Sequence, residues 1–113
     1  MIVIYHNPNC SKSRESLEIL ETHKEDIQII KYLDQPLKAD KLLKIIKLLK
    51  VKPIDLVRQN ETLWKENFMH LDFSDDELIE VMANYPKIIE RPIIINGDKA
   101  VIGTPPTKIL DIL

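Results

Sequence analysis

The sequence predicts an α/β domain in which a helical block is inserted between two sheet-forming halves. Three observations predict it. Residues 2–31 read as strand, helix, strand. Residues 38–85 carry apolar positions at helical spacing. Residues 92–102 return to two β-branched runs around Gly97 and Asp98. A length of 113 residues is that of a single domain able to bury a hydrophobic core.

Each element follows from local chemistry. Ile2-Val3-Ile4-Tyr5 is a short apolar run that reads as a buried strand. Residues 11–24 read as a helix, opened by Ser11-Lys12-Ser13 and given an apolar face by Leu17, Ile19 and Leu20. Residues 27–31 form a second strand, expected parallel to the first through a right-handed crossover. Residues 38–50 form an amphipathic helix. Its lysines (Lys38, Lys41, Lys44, Lys47, Lys50) recur every three residues and read as a solvated face. Pro53 starts a short helix through Arg58, and residues 60–69, with Trp64 and Phe68, form another. Ser74-Asp75-Asp76-Glu77 carries a capping box for a helix that runs to about Asn84 and stops before Pro86. Residues 92–96 and 99–102 pair as a tight hairpin, and Gly103-Thr104-Pro105-Pro106 opens a last helix over 106–112. The order βαβ, helices, ββα is that of a thioredoxin-like (glutaredoxin-like) mixed sheet with a helical insertion, at about residues 38–85, in a single domain.

Composition narrows the function classes. The formal net charge is −2, which offers no field to recruit nucleic acid or an acidic membrane. No apolar run approaches the roughly 18 residues of a membrane span. The N-terminal run is too short for a signal peptide, so a cytoplasmic location is expected. With one cysteine, no internal disulfide can form, and His6, His23 and His70 lack zinc-ligand spacing. The only glycines, Gly97 and Gly103, make no phosphate-cradling loop.

That lone cysteine is the strongest functional signal. Cys10 follows the first strand and the polar His6-Asn7-Pro8-Asn9, and is expected on the first turn of the helix. Backbone N–H groups without intrahelical partners gather there, stabilise a thiolate and hold oxyanions. Arg14, four residues on, shares the helix face of Cys10 and is placed to favour the thiolate, and His6 to orient the loop or tune the thiol. The window Cys10-Ser11-Lys12-Ser13 lacks the second cysteine of a dithiol oxidoreductase, so a thiol cycle needs an external thiol. Ser16 stands where a phosphatase loop needs arginine. Thirteen lysines against three arginines suggest that Arg14, Arg58 and Arg91 serve roles needing a planar bidentate donor. Arg91-Pro92, just before a strand, matches the place of a cis-proline beside the thiol of thioredoxin-like folds.

The pieces His6-Asn-Pro-x-Cys10-x-x-Ser13-Arg14, Tyr32-Leu33 with Pro36, the Arg58 segment, Pro86 and Glu90-Arg91-Pro92-Ile93 occur in order. Together they resemble the arsenate reductase family that depends on glutathione and glutaredoxin, from Ile4 to the closing Ile109–Leu113. The short stretch after the last expected helix resembles the shorter branch of that family. The resemblance implies a nucleophilic Cys10 that forms a thiol–arsenate ester, with glutathione as reducing co-substrate, glutaredoxin as partner and no bound cofactor or metal. His6 and Arg14 match motif positions that support the cysteine, with Ser13 and Pro92 structural at the site. Arg58 and Arg91 fall where the family places oxyanion-binding arginines. The family's third arginine slot is filled by Thr104, whose hydroxyl offers one hydrogen bond and no charge. A monomer acting on arsenate, without nucleic acid or membrane, is expected.

Two other readings share the fold. A thiol-redox protein could act on another oxyanion or on glutathione mixed disulfides. An Spx-type transcriptional regulator would bind RNA polymerase, but such proteins commonly carry the Cys-x-x-Cys switch that this chain lacks.

Overall fold

The computed structural model describes residues 1–23 and 26–113, which form two compact units. The first comprises residues 1–35 and 91–113, the second residues 36–90.

The first unit is a four-stranded mixed sheet with strands β1 (Ile2–Tyr5), β2 (Ile27–Ile30), β3 (Ile93–Asn96) and β4 (Lys99–Ile102). Their spatial order is β2-β1-β3-β4. β1 pairs parallel with β2 and antiparallel with β3, and β3 pairs antiparallel with β4. This is the thioredoxin-like arrangement expected from the order of the elements. The hairpin turns at Gly97, whose φ of +64° favours a residue without a side chain. Helix α1 (Ser11–Thr22) packs Leu20, with Leu17 and Ile19, against Ile2, Ile4 and Ile94 of the sheet and against Ile109 and Ile112. Burying these side chains is the main drive for the unit. β2 lies at the sheet edge, so Ile29 remains 45% exposed.

Two expectations are corrected here. α1 ends at Thr22, with His23 closing it by bonds from its backbone N–H to Glu21 and Ile19 carbonyls. Residue 24 of the expected helix lies outside the described residues. The last helix, over Pro106–Ile112, is a 3-10 helix. Its three-residue turn brings Ile109 and Ile112 onto one face, and both are buried.

The second unit is helical: α2 (Ala39–Leu49), α3 (Thr62–Asn67) and α4 (Asp75–Asn84), with 3-10 turns at Pro53–Leu56 and Pro86–Ile88. α2 buries Leu42, Ile45 and Ile46, leaves Lys41, Lys44 and Lys47 exposed, and ends on Lys50 in the left-handed conformation. The Ser74 cap forms as the sequence implies: its hydroxyl accepts the Glu77 N–H, and the Glu77 carboxylate accepts the Ser74 N–H. The helix expected from Pro53 through Arg58 stops at Leu56, because Val57 turns extended and bridges Ile89. The Arg58 N–H then donates to the Ile88 carbonyl at 2.7 Å, and Glu90 N–H to Leu56 O at 2.7 Å. α3 is shorter than residues 60–69, since Phe68 and Met69 N–H groups both converge on the Trp64 carbonyl.

Candidate active site

Cys10 stands one residue before the first turn of α1, with extended backbone (φ −106°, ψ 126°), rather than on the turn itself. The chain reaches it by a tight turn after β1, in which Cys10 N–H donates to Asn7 O at 3.0 Å. Asn7 also braces the turn by accepting the Asn9 N–H on its side-chain oxygen. The thiol makes no capping hydrogen bond. Its ionised form is favoured. Burial alone would raise the Cys10 pKa. The Ser13 N–H, the charge of Arg91, the Lys12 N–H and a hydrogen bond from the Arg91 side chain outweigh burial and bring the thiol below its usual value.

Ser13 is buried and its hydroxyl is held on two sides. It shares a 2.7 Å hydrogen bond with His6 Nδ1 and accepts the Asn7 N–H at 2.9 Å. Both contacts fix the N-terminal turn of α1, whose Ser13 N–H favours the thiolate. His6 is itself buried, at 5% exposure. Burial first, then the charges of Lys31 and Arg14, hold its pKa below the usual histidine value, so the ring is neutral near pH 7.

Arg14 sits on α1 as expected, but its guanidinium donates to the Pro8 carbonyl at 2.8 Å and so ties the helix to the preceding loop. The arginine that acts on the sulfur is Arg91. The Arg91–Pro92 peptide is cis, and β3 follows it directly. Thr104 lies beyond β4, where its hydroxyl donates to the Arg91 carbonyl at 3.2 Å. Arg58 belongs to the second unit, where it pairs with Glu61 at 3.5 Å, and Lys87 reaches the same carboxylate at 3.6 Å. Among the described residues no group of three His, Cys, Asp or Glu side chains could hold a metal ion. No helix among them is long and apolar enough to cross a membrane.

Two residues gain importance that the sequence did not reveal. A Cβ at Gly103 would come within 2.7 Å of Ser16 Oγ and 2.9 Å of Pro92 Cγ, so only glycine lets α1 and Pro92 approach this strand end. Ser16 is buried and donates to the Lys12 carbonyl at 2.8 Å. The signal available in the sequence was the scarcity of glycine: Gly97 is explained by the hairpin, which leaves Gly103 in need of a reason.

In chemical terms, a thiol sulfur whose ionised form is favoured lies beside N–H donors at a helix start and one guanidinium. Such a site can attack an electrophilic oxyanion and hold its negative oxygens.

The sequence model of the ArsC family matches residues 5–112. An uncharacterized Escherichia coli K12 protein, YfgD, is 40% identical over 99% of this chain and 96% of its own length. A Haemophilus influenzae protein named arsenate reductase is 42% identical over 99% of this chain and 98% of its own. A solved structure described as the arsenate reductase from Vibrio cholerae superimposes with a TM-score of 0.94 at 42% identity, covering 99% of this chain and 97% of that one. The chain belongs to the ArsC family.

Proposed function

Starting from that membership, we propose that the protein reduces arsenate to arsenite through Cys10, with glutathione and a glutaredoxin as reductants. The observation that carries the reading is the pull of Arg91 and the first-turn N–H groups on the Cys10 sulfur. A thiolate attacks the arsenic atom and expels one oxygen, which leaves as water after protonation, to give a thiol–arsenate ester. A glutathione thiolate then attacks the Cys10 sulfur and forms a Cys10–glutathione disulfide, while the sulfur–arsenic bond breaks with its electron pair kept by arsenic; glutaredoxin removes the glutathione by thiol–disulfide exchange and returns the Cys10 thiol. Overall, two thiols supply two electrons and become one disulfide, while As(V) becomes As(III) and arsenite leaves.

Each residue has a task in this sequence. Cys10 is the nucleophile. Arg91 neutralises the sulfur before attack and the arsenate oxygens after it. Ser13 and His6 hold the turn whose N–H groups face the reaction. Arg14 anchors that turn through Pro8. Arg58 is the further oxyanion ligand implied by the family resemblance, and its substitution by alanine should raise the arsenate KM.

The test is arsenate-dependent NADPH oxidation with glutathione, glutaredoxin and glutathione reductase, comparing wild type with Cys10→Ser. Turnover in the wild type alone supports the reading. Absence of turnover by folded wild-type protein, across several glutaredoxins, rejects arsenate as its substrate. Loss of NADPH oxidation with other oxyanions or glutathione mixed disulfides as well would reject thiol-redox catalysis altogether.

A further inference from the structure

The end of β4 grips the segment that carries Arg91. β3 and β4 pair with Ile93 opposite Ile102, so continuing the register sets Gly103 across from Pro92 and Thr104 across from Arg91. The contacts follow that register. Gly103 N–H donates to the Pro92 carbonyl at 2.9 Å, and the Thr104 hydroxyl donates to the Arg91 carbonyl at 3.2 Å. Thr104 is in turn fixed by its own N–H, which donates to Ile102 O at 2.8 Å. The carbonyl of the Arg91–Pro92 peptide and the one that follows it are therefore held by two consecutive residues after β4.

We propose that Thr104 is a positioning residue: by binding the Arg91 carbonyl, its hydroxyl holds the Arg91 guanidinium against the Cys10 sulfur. In this role the one donor proton of Thr104 is directed to protein rather than to an anion. The inference rests on the reading of Cys10 as a thiolate nucleophile.

Charge makes the two roles separable. Of the charged side chains, Arg91 before β3 acts on Cys10, while Arg14 on α1 and Lys31 act on His6. Thr104 adds no charge to this set. Replacing it by valine, which keeps the branched shape, leaves every one of these charges in place. Any movement of the Cys10 titration in Thr104→Val therefore reports where Arg91 sits.

The experiment measures the rate of Cys10 alkylation by iodoacetamide against pH in the full chain. It compares wild type, Thr104→Val, Thr104→Ala and Thr104→Ser, each also combined with Arg91→Ala, with circular dichroism checking the fold. The expected result is a midpoint raised by about half a unit in the two hydroxyl-free variants, restored by serine, and no added shift once Arg91 is gone. Hydroxyl-free profiles that superimpose on wild type overturn the proposal. So does a shift that persists undiminished in the Arg91→Ala background. A wild-type midpoint at the ordinary thiol value, unmoved by Arg91→Ala, instead sinks the underlying reading of Cys10.

Discussion

His6 Nδ1 lies 2.7 Å from the Ser13 hydroxyl, joining the residue after β1 to the first turn of α1. The contact is buried, and which partner donates depends on the tautomer of the ring. The His6 pKa is lowered from 6.5 by burial and by Lys31 and Arg14. A group depressed in the folded state binds its proton more readily when unfolded. Stability is therefore full above about pH 6.5 and falls as pH drops from there toward the lower folded-state value. Thermal melts between pH 5 and 8, buffered at constant ionic strength, should show this decline in wild type and a flatter profile in His6→Asn. Parallel profiles for the two proteins would remove His6 as its source.

Arg91→Ala should raise the pH at which Cys10 becomes reactive. A charge-assisted hydrogen bond is worth about 1.5–3 kcal/mol, and the partial exposure of Cys10 argues for the lower end, so the expected rise is about one unit. The pH dependence of alkylation reads it directly. Arg14→Ala should move that midpoint much less, because its guanidinium engages Pro8 O. A larger effect from Arg14 than from Arg91 would reverse their roles.

Gly103→Ala should destabilise the protein by about 1–3 kcal/mol. The added methyl meets Ser16 Oγ at 2.7 Å, Pro92 Cγ at 2.9 Å and Ile94 Cδ1 at 3.1 Å. Adding Ser16→Ala removes the nearest of these atoms, so the double variant should recover part of the loss relative to the two single ones. Urea denaturation of the four proteins measures the coupling, and strict additivity would place the strain elsewhere.

Ser74→Ala should cost about 1 kcal/mol, the usual price of an N-cap. It removes the acceptor of the Glu77 N–H and half of the reciprocal box. Because α4 buries Leu78, Ile79 and Met82, fraying at its start should register in the global melt rather than locally. An unchanged melting temperature would show that the cap is dispensable.

The sequence by itself determined the order of the elements, the parallel and antiparallel halves of the sheet, the Ser74 cap and the Gly97 turn, and it singled out Cys10 as the candidate for reaction. These are local matters: apolar period, capping chemistry and turn residues act over a few positions of chain. Tertiary structure decided what depends on distant segments meeting. Arg14 is four residues from Cys10 and was the obvious partner, yet it bonds Pro8, while Arg91, which leads into the neighbouring strand β3, favours the thiolate. Thr104 occupies an arginine slot, yet its hydroxyl closes on the Arg91 carbonyl through the β3–β4 register. The last helix is a 3-10 helix whose Ile109 and Ile112 meet Ile2, Ile4 and Ile94 of the sheet, an arrangement that local spacing does not specify. In each case the deciding atom lies many residues away in sequence, where periodicity carries no information and only the packed sheet brings the groups together.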